Sequence, residues 1–176
     1  NVFLVSRDDE VLESKERPAA GHVPPTAALL QGLSLAKIYD FATTVDIELI
    51  EFITEAERLN NALVDAGRDG SYGIGEGAAI LGSIDRGMAS DDLCTRMTAY
   101  TAAASEARMG GAPLPAMTNS GSGNQGIVAT VPVTVAADYA GVDHERRVRA
   151  LALSHAVALY AHAGLPVLSA FCAATT

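Results

Sequence analysis

From Ser34 onward the apolar positions recur at three- and four-residue spacing, and residues that start or stop helices bracket each run. Ser34 is placed to cap a short helix with Leu35, Ile38, Tyr39 and Ala42 on one side. Asp46 is placed to cap a longer one, in which Ile50, Ile53, Leu59 and Leu63 repeat and Gly67 supplies the stop. Its Glu48, Glu51, Glu55 and Glu57 read as a solvated face. Asn60 falls at helical spacing from Ile53 and Ala56, which turns it inward as a polar group. A glycine-dense loop from Gly67 to Gly77 is either a helix connection or a lining of a site. A helix over Ala78 to Arg86 follows, and then one capped by Ser90 that runs through Cys94, Met97, Tyr100, Thr101 and Ala104 to Glu106. Cys94 sits at the apolar spacing, which predicts a packed core thiol.

The run Ile127 to Val133 is rich in Val, Thr and Ile and suits a strand, yet Pro132 and the Ala-Ala-Asp-Tyr-Ala tail point to a buried helix. We read a helix kinked or started near Pro132, its N-terminus facing the loop before it. Asp143 caps a further helix whose inner stripe is Val148, Leu151, His155 and Leu159, ending at Gly164 and Pro166; a last helix begins near Pro166 and carries Cys172. Upstream, Val2 to Val5 and Val11-Leu12 read as a short hairpin, and the stretch Glu13 to Thr26, with its charges, prolines and solvated His22, as a linker. The expected fold is mostly α. It has a β hairpin over 1–17, the remnant of a second α/β domain, a linker over 18–33 and a multi-helix domain over 34–176. A first residue other than Met and an abrupt end suggest a piece of a longer protein.

Composition sharpens this picture. Hydrophobic residues make up 49% and aromatic ones 5%, with no Trp, so Ala, Val, Ile and Leu must build the core, which favours close helix packing. A net charge of −9 argues against a nucleic-acid or anionic-membrane partner, since both need clustered Lys and Arg. Two cysteines make no disulfide framework, and neither a signal peptide nor an apolar span of about 20 residues is present, which implies a cytoplasmic setting. Self-association and further chain segments stay open.

The candidate chemistry centres on Asn119-Ser120-Gly121-Ser122-Gly123-Asn124-Gln125-Gly126. Glycines let backbone N–H groups approach an anion closely, best at a helix N-terminus, and the serine and amide side chains add donors. A plain turn is the alternative. The stretch lacks the Gly-Lys-Ser/Thr ending of a phosphate cradle. Arg108 stands where an Ala-rich helix gives way to Met109-Gly110-Gly111; it either clamps a substrate carboxylate or ties the loop down through backbone carbonyls. His155, on an apolar stripe, is either a satisfied core residue or a proton-transfer group.

Four blocks, Ser105 to Pro115, Asn119 to Val133, Arg149 to His155 and Leu168 to Cys172, resemble the L-cysteine desulfidase family, which is related to the α chain of iron-sulfur L-serine dehydratases. The resemblance implies β-elimination from L-cysteine or L-serine through a [4Fe-4S] cluster, with Cys172 as a cluster ligand, the Asn119 to Gly126 loop and Arg108 on the substrate carboxylate, and His155 as the base. This chain alone is expected to lack the cluster and to be inactive, since one thiolate is too few. Two other readings are kept. One is a non-catalytic domain that binds a small anion or amino acid. The other takes Ser122 to Gly126, which is similar to the asparagine loop of pyridoxal-phosphate dehydratases; those need a buried Schiff-base lysine, and neither Lys15 nor Lys37 has such a setting.

Overall fold

The computed structural model describes residues 4–7, 10–14, 30 and 32–163. The chain divides into two compact units, Asn1–Gly32 and Leu33–Thr176. In the first, strands β1 (Leu4–Arg7) and β2 (Glu10–Ser14) pair antiparallel, with Leu4 opposite Ser14 and Arg7 opposite Glu10 and a bulge between Val5 and Ser6. The predicted hairpin is therefore present. The expected linker, apart from its last residues, and the expected final helix with Cys172 lie outside the described residues.

The second unit is mostly α, as expected. Its described helices are α1 (Leu35–Thr44), α2 (Thr54–Gly67), α3 (Glu76–Asp85), α4 (Leu93–Met109), α5 (Gly123–Ala140) and α6 (His144–His162). Two 3-10 turns, Ile47–Leu49 and Glu51–Ile53, lead into α2. Helix α4 packs against α2, α3 and α5; α5 also packs against α2 and α6, and α6 against α1. One core cluster gathers Leu63, Val64, Ala104, Ala107, Ile127, Val131 and Val135 between α2, α4 and α5. A second joins Ile50, Ile53 and Ala56 to Val148 and Leu151 of α6. Small residues make the approach close: a Cβ on Gly67 would stand 2.1 Å from the Ala103 carbonyl oxygen of α4. This is the core of Ala, Val, Ile and Leu that a chain poor in aromatics needs.

Two of the four expected caps form as read. Ser34 Oγ accepts from Lys37 N at 3.3 Å, and Asp143 Oδ1 from Arg146 N at 2.8 Å. Two do not. Asp46 makes no side-chain cap and precedes the first 3-10 turn, so the longer helix begins at Thr54. Asp92, and not Ser90, caps α4 through Thr95 N at 2.9 Å, while Asp91 is free to pair with Arg96. Cys94, on the first turn of α4, is exposed. The buried face of that helix is Ala99, Ala103, Ala104 and Ala107, so the expected core thiol is a surface one. Leu59 is only half-buried, because Asn60 and Leu63 take the inward positions. In α6 the buried stripe is Val148, Leu151, His155 and His162, and Leu159 lies outside it. Pro132 neither starts nor bounds α5, which begins nine residues earlier inside the glycine loop.

Candidate functional site

The glycine loop is built as a tight turn followed by a helix start. Asn119 and Ser122 exchange two backbone hydrogen bonds, N to O at 3.0 and 2.9 Å, across Ser120 and Gly121. Both central residues have positive φ, 50° and 82°, the signature of a type I′ turn. Ser122 then caps α5, its Oγ accepting from Gln125 N at 3.3 Å. The first i→i−4 bond runs from Gly126 N to Ser122 O at 3.1 Å, so the amides of Gly123 and Asn124 stand ahead of the helical ladder.

Arg108, half-buried near the end of α4, reaches this helix start. Its Nη1 donates to Asn124 Oδ1 at 2.9 Å and approaches Met109 Sδ at 3.1 Å. Its guanidinium lies so close to Gly123 that a Cβ there would stand 2.2 Å from Nε. Among the described residues Nε and Nη2 have no acceptor. A guanidinium edge, the first-turn amides and the positive end of the helix dipole thus converge, which is the chemistry that takes a carboxylate. The tether to the loop is a side-chain amide, where the sequence pointed to backbone carbonyls.

Two residues earlier on α4, Glu106 organises the neighbouring loop. Its carboxylate accepts from Ile74 N (3.1 Å), Glu76 N (2.9 Å) and Gly77 N (3.1 Å) at the N-terminus of α3. Desolvation pushes its pKa up, but the amides of Glu76, Gly77, Ile74 and Gly75 outweigh that and hold it below the ordinary value. The Gly67 to Gly77 loop is therefore tied to the strip of α4 that carries Arg108.

Behind the turn lies a buried polar network. Asn119 Nδ2 donates to the His155 carbonyl at 3.0 Å and faces His155 Nδ1 at 3.3 Å. Asn119 Oδ1 accepts from Ser120 Oγ (2.9 Å) and Gln125 Nε2 (3.4 Å). On the other side of the imidazole, His155 Nε2 meets Thr130 Oγ1 at 3.0 Å. Thr130 spends its proton on Gly126 O at 2.7 Å and accepts from Asn60 Nδ2 at 2.9 Å. These partners fix the neutral Nε2–H tautomer, with Nδ1 as acceptor. Burial pushes the pKa of His155 down. Asn60 does point inward, and its Oδ1 accepts from Met117 N at 3.0 Å. Thr130 escaped the sequence reading because a threonine in a Val/Ile run looks like β propensity; its place one helical turn beyond Gly126 was the available signal.

The stretch thus splits into unlike parts. Asn119, Gln125 and Gly126 are buried, Ser120, Ser122 and Asn124 half-buried, and Gly121 exposed. Gly126 is a packing position: a Cβ there would sit 1.9 Å from Met117 O. Arg108 joins the loop from one side and His155 from the other, through Asn119. Cys172 lies outside the described residues. Among the described residues no group of three or more His, Cys, Asp or Glu can hold a metal, and the thiol described, Cys94, is exposed on its own at the start of α4. The described residues therefore do not supply the thiolates of an iron-sulfur cluster.

Residues 9–176 match the family model described as serine dehydratase alpha chain. All 176 residues align at 98% identity with a UPF0597 protein of Cutibacterium acnes, covering 50% of that protein. A UPF0597 protein of Dichelobacter nodosus is 48% identical over the whole chain, which covers 40% of it, and one of Latilactobacillus sakei is 49% identical over 98% of the chain, which covers 41% of it. The chain thus spans half or less of the length of these relatives. No solved structure matches it.

Proposed function

Because the chain belongs to the serine dehydratase alpha chain family, we propose that it forms the carboxylate-binding part of a lyase that carries out β-elimination on a small L-amino acid, L-cysteine or L-serine. The observation that carries this reading is the unspent edge of Arg108 beside the free first-turn amides of α5. The carboxylate lies on Nε and Nη2 of Arg108 and on the amides of Gly123 and Asn124, and the turn at Ser120-Gly121 closes one side. In the reaction a base takes the α-proton and the β C–S or C–O bond breaks, its electron pair leaving with sulfide or hydroxide. The 2-aminoacrylate that remains tautomerises and takes up water to give pyruvate and ammonia. The family resemblance implies a [4Fe-4S] cluster with Cys172 among its ligands; since the described residues supply no such set, no step is assigned to it. A cytoplasmic setting and a small-molecule partner fit the acidic charge and the absence, among the described helices, of one long and apolar enough to cross a membrane.

The state of His155 favours a second reading, an amino-acid-binding domain without chemistry. A base needs a free lone pair, and Nδ1 of His155 is turned to Asn119. His155 acts as base only if that 3.3 Å contact opens; otherwise it positions the turn through Asn119. The test uses the full-length protein, reconstituted anaerobically with iron and sulfide and given L-cysteine and L-serine. Pyruvate is expected from at least one, and Arg108→Met is expected to raise KM about tenfold or more, the scale of a lost charge-assisted pair, with Arg108→Lys between. Amino-acid binding without pyruvate would leave the second reading standing.

A further inference from the structure

Two adjoining hollows, of about 440 and 430 Å³, share Met97 of α4 and Pro132 of α5 as a common wall. Past that wall the first runs on to Val133 and Ala136 of α5 and to Val142 and Ala150, while the second follows Thr98, Thr101, Ala102 and Ser105 along α4. Together they make one trough. Its lining is more apolar than its residue types suggest. Thr98 Oγ1 donates to Cys94 O at 2.9 Å and Thr101 Oγ1 to Met97 O at 2.7 Å, so each hydroxyl spends its proton on its own helix. Met97 is an adaptable wall, and the short side chains of Ala102, Ala136 and Ala150 let a further helix come close. Arg146 is the one charged side chain in the lining among the described residues. Its Nε stands 3.7 Å from Asp143 Oδ2, with both side chains more than half exposed, a surface pair that stabilises little and leaves the guanidinium available to another carboxylate.

An apolar trough of this extent left open to water is an association surface. What covers it is narrowed by length and by charge. The chain makes up 50% of a relative to which it is 98% identical, so that relative carries about as much polypeptide again. A segment of the same polypeptide acts at an effective concentration of order millimolar, above what a separate partner reaches. The cation at one end of the trough asks for an acid on whatever fills it. We propose that the trough between α4 and α5 docks an amphipathic α-helix from the part of the full-length protein outside these 176 residues, its aliphatic stripe against Met97, Ala102, Pro132 and Ala136 and an Asp or Glu at Arg146. Since α4 carries Arg108 one turn beyond Ser105 and α5 begins at Gly123, the docked helix braces the two helices that hold the candidate carboxylate site.

The test places the photo-crosslinking residue p-benzoylphenylalanine in the full-length protein at Thr98, an exposed rim position, and for comparison at Tyr139, which is exposed on α5 outside the trough. After irradiation and digestion, mass spectrometry is expected to find a link from position 98 alone, to a peptide outside the 176 residues that carries aliphatic residues at helical spacing and an Asp or Glu, in a yield unchanged by dilution. A covalent dimer that fades on dilution would put a second copy in the trough and overturn the inference. Links confined to these 176 residues, links equal at both positions, or no link from position 98 would overturn it as well. Maleimide labelling gives an independent measure. Thr98→Cys in the full-length protein is expected to react at least about tenfold more slowly than Tyr139→Cys, each rate taken relative to that in urea. Arg146→Glu sets like charges face to face and is expected to raise the Thr98→Cys rate about twofold or more. A Thr98→Cys rate that Arg146→Glu leaves unchanged would overturn the charge assignment on which the occupant rests.

Discussion

Gly123 and Gly126 stand three residues apart in one helical turn and their surroundings make them unlike. A Cβ on Gly126 meets the Met117 carbonyl oxygen at 1.9 Å and its carbon at 2.8 Å, backbone that Asn60 holds in place. Gly126→Ala is therefore expected to cost about 3 kcal/mol or more, the upper range of overpacking, read as a fall in the urea midpoint. A Cβ on Gly123 meets the side chain of Arg108, which can swing away. Gly123→Ala should then change stability by less than about 1 kcal/mol, since alanine is the better helix former. It should still weaken propanoate binding, measured by calorimetry, because Arg108 leaves the helix start. Unchanged binding in a folded Gly123→Ala variant would remove Arg108 from the site. The sequence marks both glycines as close-approach positions. It cannot say what approaches, because Met117 and Arg108 come from other segments.

At the level of elements, the last turns of α4 hold two sites together. Glu106 closes the N-terminus of α3 with three amide bonds, and Arg108 meets the N-terminus of α5. Glu106→Ala leaves those amides without a charged acceptor and is expected to cost about 2 kcal/mol, with hydrogen exchange at Ile74, Glu76 and Gly77 rising more than at the core of α5. Equal exchange at both would show that the carboxylate does not hold the loop. The caps show how far local sequence reaches. Ser34 and Asp143 act within their own turn and were legible. Asp46 and Ser90 were not the caps, because the packing of Ile50 and Ile53 on α6 tightens the lead into α2, and because Asp92 stands one residue before the helix that actually forms.

Across the whole molecule, the buried chain of Asn60, Thr130, His155 and Asn119 ties α2, α5 and α6 to the turn at the site. Its pH dependence follows from the direction of one shift. Burial lowers the pKa of His155 below the ordinary 6.5, so below that pH the unfolded chain takes up a proton that the folded one refuses. The stability due to neutral His155 is thus complete above 6.5 and is lost as pH falls toward the lower folded value. Urea midpoints measured on both sides of pH 6.5 should show this decline, and His155→Gln, which cannot titrate, should flatten that part of the profile. A profile unaltered by the substitution would mean that another group carries it. Arg147 braces the same packing by bonding Glu57 of α2 and Asp138 of α5.

The sequence by itself determined the helical class, the N-terminal hairpin, two caps, the inward turn of Asn60 and the stretch on which the site is built. Each of these follows from periodicity, from turn chemistry or from the spacing of glycines along one segment. Tertiary structure alone decided the rest. It set α5 to begin at Gly123 and not near Pro132, since Ser122 is positioned as a cap only by the turn paired to Asn119. It exposed Cys94, because α4 turns Ala99, Ala103, Ala104 and Ala107 inward and leaves its first turn at the surface. It closed both nitrogens of His155 with Thr130 and Asn119. Such outcomes depend on which atoms of distant segments meet, and a linear pattern of polar and apolar positions carries no record of those distances.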